Sequence, residues 1–122
     1  MRIDVSIQWT ETAKSQIADL PAKVGKGIIK KIGALRDADP RRVGKPLVGP
    51  LQGCRRITYG RYRALFSVEE QPLADGDVLL RVTVRVVAVG IRKEHDKHDV
   101  YNVALKLIEL GLIPTQNPTN DD

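Results

Sequence analysis

The sequence predicts an α+β domain: an N-terminal strand, a helical hairpin, then an antiparallel β-sheet and a C-terminal helix. Three observations predict it. Apolar residues alternate with polar ones over 2–9, 61–68 and much of 78–90, the period of a half-buried strand. They recur at spacings of three and four near residues 13–24, 28–35 and 103–110, the period of an amphipathic helix. Proline and glycine at Pro21, Pro40, Gly60 and Gly111 separate these stretches. The resulting order, β-α-α-β-β-β-α, leaves three consecutive strands to pair through short connections.

Each element has its own signal. In "RIDVSIQW" (2–9), Ile3, Val5 and Ile7 share one face and Arg2, Asp4, Ser6 and Gln8 the other. Thr10 offers an N-cap for the first helix, and Glu11 adds a carboxylate in its first turn. Ala13, Ile17, Leu20 and Val24 line one helical face, which Pro21 interrupts, so the first helix ends near Leu20 and a second starts near Ala22. Ile28, Ile32 and Leu35 form the apolar side of that second helix, and "DADPRR" (37–42) closes it, because Pro40 disfavours helix in the residue before it. "VGKPLVGPLQG" (43–53) reads as a connector anchored by Leu47 and Leu51. Strands follow at 54–59 and 61–70 around a tight turn at Gly60. "QPLADGD" (71–77) carries an Asp-Gly turn signal and reads as a loop. In the long strand 78–90, Val78, Leu80, Val82, Val84, Val86 and Ala88 are assigned to one face by strict alternation. Residues 91–99 read as a charged loop, and "VYNVALKLIEL" as the last helix. The domain spans 1–113, and 114–122 reads as a disordered tail.

Composition narrows the function classes. The 122 residues suit one domain, with 42% hydrophobic content and only five aromatic side chains, so the core rests on Val, Ile, Leu and Ala. One cysteine, Cys54, excludes an intramolecular disulfide framework and a Cys-rich zinc site. No apolar run of about eighteen residues and no signal-peptide pattern is present, so the expectation is a cytoplasmic protein with no membrane partner. The net charge is +5, unevenly placed: residues 41–93 hold eleven Lys/Arg against four Asp/Glu, whereas 94–122 hold two against six. A positive field in the middle of the chain attracts a polyanion such as nucleic acid.

That middle contains "GCRRITYGRYRALFSV" (53–68), with four arginines on two strands. Side chains alternate along a strand, so the arginines can be sorted. Tyr62, Ala64, Phe66 and Val68 form the core face, joined by Ile57, Tyr59 and the stem of Arg55. Arg56, Thr58, Arg61 and Arg63 point the other way, as do Arg81, Thr83 and Arg85. Guanidinium groups from three strands therefore pool on the sheet face opposite the two helices. Guanidinium stays charged and grips phosphate with two parallel hydrogen bonds, the chemistry a phosphodiester backbone requires.

"KPLVGPLQGCRRITYGRYRALFSVEE", then "VVAVGIRKE", then a Tyr opening the last helix, together with the early Trp9 and "TAKSQIADLP", resemble the RelE/ParE superfamily of type II toxin–antitoxin toxins. The resemblance covers residues 3–113 and implies a RelE-like microbial RNase fold. It also implies one of two activities: messenger-RNA cleavage in the ribosomal A site, as in RelE-like members, or inhibition of DNA gyrase without chemistry, as in ParE-like members. A degenerate toxin retained for antitoxin or operator binding is a third reading.

For the nuclease, the resemblance implies attack by the RNA 2′-OH on the adjacent phosphate, with no metal or other cofactor. Carried over by position, Arg63 matches the phosphate-binding arginine, Arg92 the basic residue at the end of the last strand, and Tyr101 the aromatic that orients a base. Arg56 matches a lysine of the preceding strand. A second strand lysine has Thr58 in its place, and His98 is the candidate for the missing acid–base role, with a reference pKa near 6.5. His98 and His95 equally suit a solvated loop beside Glu94, Asp96 and Asp99. Arg55, Arg61, Arg81, Arg85 and Lys93 are the expected RNA-binding residues. The implied partners are a cognate antitoxin, mRNA and the ribosome, with DNA gyrase as the alternative. The presence of Arg56, Arg63, Arg92 and Tyr101 together favours the nuclease, and the loss of the strand lysine favours the rival.

Overall fold

The computed structural model describes residues 2–75, 78–91 and 99–110. In chain order the elements are β1 (Arg2–Trp9), α1 (Glu11–Asp19), α2 (Ala22–Gly33), β2 (Lys45–Pro46), β3 (Cys54–Tyr59), β4 (Tyr62–Asp75), β5 (Val78–Ile91) and α3 (Val100–Glu109), with 3₁₀ turns at Ala34–Asp37 and Gly49–Leu51. The strands form one sheet in the order β1-β5-β4-β3-β2. β1 runs parallel to β5, and the remaining pairs are antiparallel. The α+β class read from the sequence is the one observed.

Thr10 starts α1 as expected. Its hydroxyl oxygen accepts the Ala13 N–H at 3.0 Å and donates to the Val87 carbonyl at 2.9 Å. α1 and α2 cover one sheet face, where Ala13, Ile28, Ile32 and Leu35 pack on Ala64, Phe66, Val84, Val86 and Val89. Phe66 and the three valines are almost entirely withdrawn from water, each contributing about 1.5–3 kcal/mol by burial. Trp9 packs against the same cluster at the strand-to-helix junction.

Three features depart from the sequence reading. The segment 71–75, expected as loop, belongs to β4: Gln71 pairs with Arg81, Pro72 with Leu80 and Asp75 with Val78. Pro72 is accommodated because the ladder shifts register just beyond it, where a missing N–H costs least. The second departure is in β5. Leu65 pairs with Ala88 but Phe66 pairs with Val86, so Val87 is an extra, bulged residue. Strict alternation therefore fails there: Ala88 joins Val87 on the far face, and Val89 returns to the face covered by α1 and α2. The backbone groups along this stretch are satisfied by side chains. Thr10 meets the Val87 carbonyl, and the Gln16 side-chain oxygen accepts the Val89 N–H at 2.8 Å.

The third departure concerns the arginine face. It is not an open platform, because α3 packs across its centre. Val100 and Ala104 lie on Leu65, Val87 and Ala88, and Leu51 of the connector closes the cluster with Leu47 beside it. The small side chains at Ala88 and Ala104 let α3 approach closely, and Val100 stands over Gly90. The arginines of this face fall into two groups, Arg56 and Arg63 beside the first turn of α3 and Arg81 and Arg85 farther back along β5.

Candidate active site

The first group forms at the β3–β4 turn. Thr58 pairs with Arg63, and Arg56 with Leu65, so Arg56 and Arg63 are diagonal neighbours on one face. Gly60 adopts φ +61 at the two-residue turn that fixes this register. Arg63 pairs on its other side with Gly90, and above Gly90 sits the first turn of α3. Asp99, fully buried, caps that helix by accepting the Tyr101 N–H at 3.0 Å. The cap fixes the backbone of Tyr101, whose hydroxyl accepts a hydrogen bond from Arg56 Nη1 at 3.0 Å. Two residues expected in the site, 45 positions apart, thus touch.

Arg63 Nη1 donates to the carbonyls of Gly60 and Tyr62 at 3.1 and 3.0 Å, and its buried Nε has no hydrogen-bond partner among the described residues. A third cation joins the group: Lys45 of β2 is the register partner of Arg56. The sequence reading assigned Lys45 no role, although it stands in the "KPL" of the connector. Like charges directly opposite on a ladder destabilise it, and among the described ion pairs none includes Lys45, Arg56 or Arg63. Within the described residues this cluster has no acidic partner, an arrangement suited to an anionic ligand.

The other expected residues are placed differently. Arg55 lies on the face opposite Arg56, with Nε donating to the Val43 carbonyl at 2.6 Å and Nη2 to the Gly44 carbonyl at 3.0 Å, so it ties the connector to β3. Arg61 is exposed at the Gly60 turn. Arg81 and Arg85 lie toward the opposite end of β5, where Arg81 pairs with Asp4 at 3.3 Å and Arg85 with Glu69 at 3.0 Å. The acid on β1 escaped the sequence reading because parallel pairing brings Asp4 beside Arg81 from 77 positions away. Arg92, Lys93, His95 and His98 lie outside the described residues.

Two groups titrate away from their ordinary values. Burial pushes the Cys54 thiol up, which leaves it a poor nucleophile. The Arg41 guanidinium, bonded to the Asp39 carboxylate at 2.8 Å, holds that group down at about 2. Arg41 also reaches Glu70 on β4 at 3.2 Å, clasping the connector to the sheet away from the site. Among the described residues no three His, Cys, Asp or Glu side chains gather as metal ligands would, and no helix is long and apolar enough to cross a membrane.

Similarity to known proteins agrees with this architecture. Toxin RelG of Mycobacterium tuberculosis is 29% identical over 80 residues, covering 66% of this chain and 90% of its own. Among solved structures, the RelBE2 toxin–antitoxin complex of M. tuberculosis matches with 28% identity and a TM-score of 0.54, over 71% of this chain and 96% of that one. A free arginine-to-alanine variant of Escherichia coli toxin RelE matches with 25% identity and a TM-score of 0.61, over 84% and 96%. The family model for the ParE toxin of the type II toxin–antitoxin system parDE matches residues 7–95. With the fold, the chain order and these matches in agreement, this chain belongs to the RelE/ParE family of type II toxin–antitoxin toxins.

Proposed function

We propose that this toxin is a messenger-RNA endoribonuclease that acts on translating ribosomes in the cytoplasm and is silenced by a cognate antitoxin. The observation that carries the reading is the Arg56–Tyr101 hydrogen bond beside Arg63 on one sheet face. A guanidinium pair next to an aromatic hydroxyl suits a phosphodiester whose base stacks on the ring. In the proposed reaction the 2′-OH loses its proton and attacks the adjacent phosphorus. Arg56 and Arg63 stabilise the charge of the pentavalent phosphorane. The 5′-oxygen then leaves with a proton, giving a 2′,3′-cyclic phosphate and a 5′-hydroxyl end. Arg92 is proposed for the phosphate or leaving group, His98 for proton transfer and Lys93 for RNA contact. No metal enters this scheme. The solved relative with a bound antitoxin supports the regulatory half of the proposal.

A second reading has its own observations: the matching family model is described as a ParE toxin, and Thr58 stands where a second strand cation is expected. On that reading the same cationic face would contact DNA gyrase without cutting anything. Inducible expression of the wild type and of Arg63→Ala, with primer extension on a translated transcript, separates the two. The nuclease gives new 5′ ends inside the coding region that vanish in the variant. Growth arrest with intact transcripts, together with loss of gyrase supercoiling, would establish the rival.

A further inference from the structure

β3 is only partly covered on its outer side. β2 pairs with Arg55 and Arg56 and no further, so a groove of about 480 Å³ opens along Ile57 and Thr58. Lys31 of α2 and Lys45 of β2 both line it, and Arg56 links it to the candidate active site. Val43 and Ile57 add apolar lining. Lys31 Nζ donates to the Thr58 carbonyl at 2.9 Å, which leaves two N–H donors for another acceptor. Among the described residues no carboxylate lines this groove. Two other clefts differ in that respect, since each includes an arginine with an acidic partner, Arg41 with Glu70 in one and Arg81 with Asp4 in the other. Three cations, Lys31, Lys45 and Arg56, line one groove with no carboxylate among the described residues, and together complement a chain of negative charges that extends from the site.

We propose that this groove binds the RNA strand on one side of the scissile phosphate, with Lys31 and Lys45 each holding a backbone phosphate. The assignment rests on the nuclease reading above. It gives the strand a direction across the molecule, from Tyr101 over Arg56 to the bare edge of β3. It also explains why Lys45 stands opposite Arg56, an arrangement that costs the free protein stability and is offset when RNA binds. Both lysines are exposed, so their replacement leaves the core intact.

The test is binding of a fluorescent, non-cleavable 2′-O-methyl oligoribonucleotide, followed by anisotropy over a range of salt concentrations. For a single strand, each phosphate deprived of its protein cation lowers the slope of log K against log salt by about 0.7. The Lys31→Ala/Lys45→Ala double variant is therefore expected to reduce the slope by about 1.4, and Lys31→Arg/Lys45→Arg to keep it. A slope unchanged in the double variant, while Arg56→Ala still weakens binding, would overturn the groove assignment and leave the nuclease reading standing. Unchanged RNA binding with lost affinity for a polyglutamate peptide would overturn it in favour of a protein-binding groove. A wild type that binds no RNA would overturn the groove assignment, and the nuclease reading would then stand or fall on the primer-extension comparison above.

Discussion

At the scale of single residues, the hydroxyl of Tyr101 separates positioning from stacking. Tyr101→Phe keeps the ring and deletes the acceptor of the Arg56 hydrogen bond. A hydrogen bond to a charged group contributes about 1.5–3 kcal/mol, so RNA cleavage is expected to fall by roughly ten- to a hundredfold with the fold retained. A rate equal to wild type would show that Arg56 does not depend on this hydrogen bond. The clasp of Asp39 predicts a pH dependence of stability. Its pKa is lowered from 3.8 to about 2 by Arg41, so the unfolded chain binds the proton more readily. The stabilisation is complete above the unfolded value and disappears as pH falls through the folded one. Melting temperatures of the wild type and Asp39→Asn are expected to differ at neutral pH and to converge by about pH 2; a gap that persists in acid would sink the assignment. Much of this scale was legible in the sequence. Alternation put Arg56 and Arg63 on one face because β3 and β4 are regular up to the bulge. The meeting of Arg56 with Tyr101 was not legible from spacing, since it depends on where α3 docks.

At the scale of elements, the least legible feature is the β5 bulge. Val86-Val87-Ala88-Val89 is uniformly apolar, so either face assignment buries hydrophobic side chains and the local pattern cannot choose. The choice is made by partners distant in sequence, Thr10 and Gln16, which accept or donate where β1 has ended. Thr10→Ala removes both the α1 cap and the bond to Val87, and is expected to cost about 1–2 kcal/mol in chemical denaturation. No measurable change would mean that water replaces both bonds. The β4 extension was hidden by Pro72 and the Asp-Gly signal, which describe the hairpin end correctly but place it too early. α2 meets β3 through Gly27, against which the Tyr59 ring packs so closely that any Cβ would overlap it. Gly27→Ala therefore forces the half-buried Tyr59 ring to swing away from α2, and is expected to destabilise by about 1 kcal/mol through the packing lost. A neutral result would show that the ring repacks at no cost.

At the scale of the whole molecule, the arginine face has an end where charge is compensated and an end where no described ion pair forms. Arg81 and Arg85 have acids beside them, whereas Lys45, Arg56 and Arg63 share a corner with none in the described ion pairs. The sequence located this excess in residues 41–93 but not its polarity across the sheet, because Asp4 lies far away in the chain and adjacent in space. Exposed ion pairs contribute little, so Arg81→Gln is expected to leave cleavage and stability nearly unchanged; a severe loss of cleavage would extend the site to the other end of the sheet. The most direct measurement is cleavage of a defined messenger in a reconstituted translation reaction, comparing the wild type with a folded Arg56→Ala variant. Wild-type cuts ending in 2′,3′-cyclic phosphate, slowed about 10²–10³-fold by the substitution, are the predicted result for a charge-stabilising group. An intact messenger with the wild type, or equal cutting by both proteins, would contradict it.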